Sequence, residues 1–416
     1  MNKNKKRISS AMAFLLLFGV VSLLSDMTHE GAASIQGTYL SLIGASAGVI
    51  GFISGFAELL GYSLRYLFGR ITDKTKKYWP MVILGYLIDI LAVPLLAFVG
   101  PNGWILACIL LAVQRIGKAI KKPAKDTIMS FAATQEQVGR SFGIQEMLDQ
   151  IGAFLGPLLL YLVMLLQTDG DTYKNYSICF LFLLIPAIAT IALLFFTKHK
   201  FPNPDKFEPE PKKHEKFKMK PSFVFYIVGI SVFAFGFIDY SLVGMHIGNV
   251  YVGNSDIITS ETLPLVYSGA MIVDAIAAVL FGKLYDSFGM FSLVGATLCS
   301  CLFSLFIFEF DSLPMLFVGV AMWGIGMGAQ ESILKAAVTS MVPKGSRATG
   351  YGMFEFSFGI FWFLGSWLMG VLYDVSILAM VIVSITAQAL SVLCYVISYL
   401  RAKKEKNADM GLSERE

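Results

Sequence analysis

Gly69-Arg-Ile-Thr-Asp73-Lys74-Thr-Lys-Lys77 and, 213 residues further on, Gly282-Lys-Leu-Tyr-Asp286-Ser-Phe-Gly289 share one pattern, and each directly follows a hydrophobic span. In both places a Gly one turn before an Asp reads as the end of a membrane helix and the start of a tight turn to the next. The repeat marks equivalent corners of two related halves. Two further correspondences keep the same order. Asp26 and Asp239 are also 213 apart, and Gly143-x-x-Glu146 with Gly156 matches Gly352-x-x-Glu355 with Gly365 at an offset of 209 with the same internal spacing.

Hydrophobic residues make up 56% of the 416-residue chain, charged residues 15%, and the mean hydropathy is +0.67, which places most residues in lipid or protein rather than water. Apolar runs of about 20 residues cross roughly 30 Å of hydrocarbon as helices. Twelve such spans are expected, at 10–42, 45–68, 79–99, 102–122, 140–166, 176–197, 222–248, 262–282, 290–310, 313–338, 349–373 and 375–400. The basic start followed by an apolar run has the form of a signal peptide, but the run continues to Leu42, so an uncleaved first helix is expected. The segment from Lys198 to Pro221, rich in proline and charge, cannot pack a core and reads as a linker. The expected fold is an all-α integral membrane protein of twelve transmembrane helices in two pseudo-symmetric six-helix bundles around a central cavity. The first bundle is 1–198, a cytoplasmic linker 199–221, the second bundle 222–401 and a cytoplasmic tail 402–416.

The net charge is +4, and of 33 Lys and Arg only Lys174 falls in a loop on the side opposite the termini. That asymmetry puts both termini and the linker in the cytoplasm of a multi-pass cell-membrane protein, and nothing in it calls for nucleic acid. The five cysteines, Cys108, Cys179, Cys299, Cys301 and Cys394, all lie in apolar spans, and the Cys299-x-Cys301 pair has no neighbouring His or third Cys. No disulfide framework, metal or cofactor is expected. The absence of G-x-x-x-x-G-K-[ST] excludes a P-loop pump within this chain, and without H-E-x-x-H or G-x-S-x-G no recognisable enzyme site remains.

Asp26, His29 and Glu30 stand at i, i+3 and i+4 in span one and share one helical face. A charged group at the bilayer centre costs about 2.5–3.5 kcal/mol even on lenient scales, so these side chains are expected to face a wet cavity, or else to form an interhelical cluster. The same reasoning applies to Glu58, Asp239 and Asp274, while for Asp89 coupling and packing roles both stand open. Arg115 and Lys118 on span four and Glu146 and Asp149 on span five form i, i+3 pairs of opposite sign. They read as a proton-coupling device or as a permanent bridge near the cytoplasmic end, where span four enters a basic loop, Lys121-Lys122-Pro-Ala-Lys125. Glu331 and Lys335 are an i, i+4 pair that satisfies itself. Glu355 lies among Phe354, Phe356, Phe358, Phe361, Trp362 and Phe363. Such rings pack a core or face lipid, and their faces also suit an amphipathic or cationic cargo.

The whole chain resembles the major facilitator superfamily. Residues 69–77 resemble its loop motif G-x-L-A-D-R-x-G-R-[RK], with Lys74 for Arg and Lys76 for Gly, and residues 282–289 lie where the family has its second copy. Leu111-x-x-x-Arg115 resembles L-x-x-x-R-x-x-Q-G, with Lys118 and Ala119 at the last two positions. Gly152-Ala-Phe-Leu-Gly156-Pro157 is similar to the G-x-x-x-G-P core of the proton-antiporter branches, with Leu160 and Tyr161 in place of the closing Gly pair. The resemblance implies alternating access, with Gly69, Asp73, Lys74, Lys77, Gly282, Asp286 and Gly289 forming a cytoplasmic gate that stabilises the outward-facing state. The expected activity is proton-coupled export of a small solute by a monomer in the lipid bilayer. A proton-driven importer, a non-transporting sensor and a lipid-handling protein are the alternatives. A cavity mixing acids, bases and aromatics suits peptides, sugars, drugs and chelates alike.

Overall fold

A computed structural model describes residues 9–134, 138–167, 170–203, 219–342 and 347–413, which are helical with no strand among them. The helices are α1 (Ser10–Leu42), α2 (Ala47–Thr75), α3 (Tyr78–Leu95), α4 (Trp104–Thr134), α5 (Val138–Leu165), α6 (Thr172–Phe182), α7 (Leu184–Lys200) and α8 (Pro221–Gly236). They continue with α9 (Tyr240–Val250), α10 (Leu263–Phe288), α11 (Phe291–Ser300), α12 (Phe303–Phe308), α13 (Leu313–Met341), α14 (Arg347–Val375) and α15 (Ile377–Ser413). Eleven segments among the described residues are long and apolar enough to cross a membrane. The remaining expected span is α4, whose 31 residues suffice in length but whose second half is crowded with lysine. Residues 204–218 of the expected linker lie outside the described residues, as do the side chains of Glu331 and Lys335.

The structure corrects two local readings. Gly69 and Asp73 do not end a helix, because α2 continues to Thr75, and α10 likewise continues past Gly282 and Asp286 to Phe288. The turn is made three residues after each Asp, by Lys76 at φ 55° and Gly289 at φ 56°, so the repeat is retained in the turn as well as in the sequence. The basic loop expected at Lys121 to Lys125 is instead the middle of α4, with Pro123 inside the helix. Partners on α1 and α3, distant in sequence, hold those lysines in place.

Three expected spans are broken. The seventh divides at residues 237–239 into α8 and α9, and the freed backbone groups are met by side chains, as the absence of water in a bilayer requires. Asp239 caps α9 by accepting from the Ser241 N–H at 2.8 Å, the Ser384 hydroxyl donates to the Gly236 carbonyl at 2.7 Å, and the Trp323 indole donates to the Ile238 carbonyl at 2.9 Å. The sixth divides at Leu183, and the ninth at Cys301 and Leu302.

The chain forms two compact units, Met1–Ile35 with Leu64–Pro211 and Gln36–Ser63 with Lys212–Glu416. In the first, α3 and α4 cross with touching backbones: a Cβ on Gly117 would lie 2.4 Å from the Asp89 nitrogen, and one on Gly85 2.5 Å from the Lys121 nitrogen. Small residues permit such contact between membrane helices. Gly152 and Gly156 do the same for α5 against α1, where added Cβ atoms would lie 2.3 Å from the Leu23 oxygen and 2.4 Å from the Met27 oxygen. One end of this unit is an apolar core that includes Phe14, Phe18, Trp79, Val82 and Tyr86, with Phe14 and Phe18 ring centres 5.2 Å apart.

In the second unit Gly365 on α14 repeats the role of Gly156, since its Cβ would lie 2.1 Å from the Phe235 oxygen of α8. The segment Gln36–Ser63 joins this unit through specific polar contacts. Asp374 accepts from the Ala47 and Gly48 N–H groups at 3.3 and 2.9 Å, and the Thr38 hydroxyl donates to the Gly244 carbonyl at 2.9 Å. At the start of α8, Glu405 of α15 accepts from the Ser222 N–H at 2.9 Å and from its hydroxyl at 2.6 Å.

Candidate functional site

The charged side chains of the first unit converge where α1, α3 and α4 meet. The close crossing at Gly85 and Gly117 brings Asp89 of α3 against Lys121 of α4, and Asp89 is wholly buried. One of its oxygens lies 2.7 Å from His29 Nε2 of α1, and the other forms an ion pair with Lys121. The Lys121 ammonium also donates to the Ser25 hydroxyl at 3.2 Å and lies 3.9 Å from the centre of the Tyr86 ring. His29 completes the arrangement through Nδ1, which is 3.4 Å from the Ser25 hydroxyl and 3.9 Å from Asp26 Oδ1. A buried carboxylate held this way is compensated on both oxygens, the condition under which an ion pair is tolerated away from water.

One turn along α4, Lys125 donates to the Ser22 hydroxyl of α1. Its charge acts on Tyr86, Asp149 and Asp26. Asp26 remains 28% exposed, and Asp149 of α5 is half-buried with an Oδ1 that has no hydrogen-bond partner in the protein. Among the described residues, neither carboxylate forms an ion pair with a lysine or arginine, whereas Asp89 does. Each acts electrostatically on the other, α1 and α5 being in backbone contact beside them at Leu23 and Gly152.

Of the residues singled out from sequence, Asp26, His29 and Asp149 belong to this cluster. Lys118 acts on Asp26, and Glu146 on Asp149, from its edge. Glu146 is exposed, while Glu30 and Arg115 are half-buried on α1 and α4. The cation acting most strongly on Asp149 is Lys125, where helix spacing had pointed to Arg115 and Lys118. Sequence reasoning leaves Asp89 open and reads Lys121 and Lys125 as part of a loop. Their signal was present nonetheless, as lysines at i and i+4 on the same helical face as Gly117.

Glu58, Asp239, Asp274 and Glu355 lie in the second unit. Glu58 on α2 and Glu355 on α14 are half-buried, and Asp239 caps α9. Asp274 is 3% exposed on α10, packed so closely on α13 that a Cβ on Gly328 would lie 2.7 Å from its Oδ1. At the corners, Asp73, Lys74, Lys77 and Asp286 are exposed, Gly69 and Gly282 sit in the last turns of α2 and α10, and Gly289 forms the turn. Pro157 follows the Gly152 and Gly156 contact on α5 and is buried.

The model of the Major Facilitator Superfamily matches residues 8–289 and 240–413. An uncharacterized protein of Mycobacterium tuberculosis is 34% identical over 388 residues, covering 92% of each chain. An uncharacterized MFS-type transporter of Methanocaldococcus jannaschii is 28% identical over 384 residues, covering 90% of this chain and 91% of its own. Among solved structures, the nucleoside transporter NupG superposes with a TM-score of 0.66 at 13% identity, over 94% of this chain and 100% of that one. A bacterial homolog of the human lysosomal transporter Spinster, inward-facing and unoccupied, superposes with a TM-score of 0.67 at 16% identity, over 95% and 96%. With a family model spanning nearly all of the chain and relatives matched over nine-tenths of their length, this protein belongs to the major facilitator superfamily.

Proposed function

We propose that this protein is a proton-coupled secondary transporter that exports a small solute across the cell membrane by alternating access. In this reading it works as a monomer with both termini in the cytoplasm, and residues 1–198 and 222–401 act as the two moving bundles. The observation that carries the proposal is a contrast within one cluster. Asp89 is fixed by His29 and Lys121, while among the described residues Asp26 and Asp149 are tied to no lysine or arginine by an ion pair. A carboxylate without a fixed counter-charge can take up and release a proton as its neighbours move, and an acidic group kept at depth in a membrane helix marks a proton or substrate pathway. Lys125, close enough to act on both, is the group whose displacement would change their proton affinity. The G-x-x-x-G-P stretch on α5 supports export through its resemblance to the core motif of the proton-antiporter branches, and its glycines set the α1–α5 contact beside these carboxylates.

The test begins with a thermal-shift screen of the purified protein against metabolites and drugs, since a ligand that binds the folded state raises its midpoint. Compounds that bind are then offered to right-side-out and inverted vesicles carrying a pH-sensitive dye. Substrate-dependent proton movement in the exchange direction supports the reading. Flux that ignores the pH gradient excludes proton coupling, and co-directional movement of proton and solute makes the protein an importer.

A further inference from the structure

The second unit contains a small cavity among α8, α11, α13 and α15, with room for a water-sized group. Phe233 and Leu293 form part of its apolar wall, and Thr297, Ser300, Gln330 and Tyr395 supply polar atoms. Gln330 is 6% exposed and Tyr395 not at all. Gln330 Nε2 has no hydrogen-bond partner among the described residues, and the Tyr395 hydroxyl interacts with Ser391 one turn back on its own helix. Leaving a group such as Gln330 Nε2 unsatisfied in an apolar interior costs about 1–3 kcal/mol. An unsatisfied donor that shares a cavity wall with a second hydroxyl therefore identifies a ligand-binding position.

The buried face of α15 points to the same place. Ser384, Gln388, Ser391, Tyr395 and Ser398 succeed one another at helical spacing, all without exposure. The two ends of this row are fastened to α8, Ser384 to the Gly236 carbonyl and Ser398 to the Ser222 carbonyl, each at 2.7 Å. The middle three are fastened to no other helix among the described residues, Ser391 and Tyr395 interacting with each other along α15, and Tyr395 is the one that lines the cavity.

We propose that this cavity binds one ordered water that accepts a hydrogen bond from Gln330 Nε2, bonds the Tyr395 hydroxyl, and so bridges α13 to α15. Among the described residues, no carboxylate lines the cavity to compensate a metal cation, and no lysine or arginine lines it to compensate an anion. Its size excludes an organic solute. A neutral ligand that both donates and accepts is left, and the Thr297 and Ser300 hydroxyls beside it bring its partners to the usual two to four. The position adjoins the break in the ninth span, Ser300 being the last residue of α11. The assignment is independent of substrate and of proton coupling.

The experiment is thermal unfolding of the full-length protein in detergent, comparing wild type with Gln330→Met, Tyr395→Phe and the double variant. A bridging water predicts that each single substitution lowers the midpoint by a few degrees and that the double variant loses less than the sum. An unhydrated cavity predicts instead that Gln330→Met raises the midpoint and that the two substitutions add, and that result overturns the proposal. Midpoints equal in sodium, potassium and choline chloride are expected, while a rise specific to sodium would reassign the site to a cation. Should a variant fail to fold, hydroxyl-radical footprinting of the wild type by X-ray radiolysis decides the question, because bound water generates the radical in place. Oxidation at Tyr395 despite its burial is expected, and protection equal to that of the buried Tyr226 rules the water out.

Discussion

His29 Nε2 on α1 lies 2.7 Å from Asp89 Oδ1 on α3, at a point where Asp89 is fully buried, and Lys121 closes the other side of the same carboxylate from α4. Three helices are pinned by one anion. Removing Lys121 leaves that anion with the His29 imidazole as its described partner. Lys121→Met is expected to destabilise the protein by about 3–5 kcal/mol, the typical cost of breaking a buried pair. Adding Asp89→Asn should recover part of the loss. Thermal unfolding of the single and double variants measures both effects, and equal stability of Lys121→Met and wild type would contradict the contact.

Asp26 and Asp149 are expected to be required for pH-driven flux and dispensable for folding, so Asp26→Asn and Asp149→Asn should insert normally and transport without proton coupling. Glu146 is exposed and acts on Asp149 only from the edge. Glu146→Gln should therefore retain more coupled flux than Asp149→Asn. Vesicle assays in which all three variants keep wild-type coupling would remove this cluster from the proton pathway.

The glycines divide by the space around them. A methyl group on Gly69 meets nothing nearer than Pro123 Cβ at 3.8 Å, and one on Gly282 nothing nearer than Ser332 Cβ at 3.8 Å. Gly69→Ala and Gly282→Ala should thus leave the unfolding midpoint unchanged or slightly higher, alanine being the better helix former. Gly117→Ala and Gly156→Ala would place a carbon 2.4 Å from backbone atoms of α3 and α1. These two should lower both midpoint and yield on size-exclusion chromatography.

Lys76 occupies a left-handed conformation at φ 55°, the position filled by Gly289 at φ 56° in the second half. Such a backbone costs a non-glycine residue roughly 1–2 kcal/mol. Lys76→Gly should recover part of that and raise the unfolding midpoint, whereas Gly289→Ala should lower it. A midpoint for Lys76→Gly at or below that of wild type would show that the lysine's own contacts outweigh the strain.

The parts of this fold that could be read from sequence are those fixed by short-range pattern. Apolar length marked the membrane helices, and the Gly69 and Gly282 stretches marked the turns at Lys76 and Gly289, although the helices run on through them. The break between α8 and α9 was not legible, because the groups that satisfy it, Ser384 and Trp323, come from far along the chain. Lys121 and Lys125 were misread for a related reason. Charge density alone signals a loop, and only Asp89, Ser25 and Ser22, brought close by the crossings of α1, α3 and α4, make those lysines interior residues. Asp26, His29 and Asp149 stand out from sequence alone because intramembrane charge is informative without knowledge of partners.

The contact between Glu405 and Ser222 spans 183 residues and so imposes an order on biosynthesis. Ser222 opens the second bundle, and Glu405 leaves the ribosome 183 residues after it. Throughout the synthesis of everything between them, the first turn of α8 waits in the translocon without the carboxylate that finally receives it. The second bundle is completed only after translation of α15, and a premature stop or proteolytic nick before residue 405 leaves its first helix unfastened at the start.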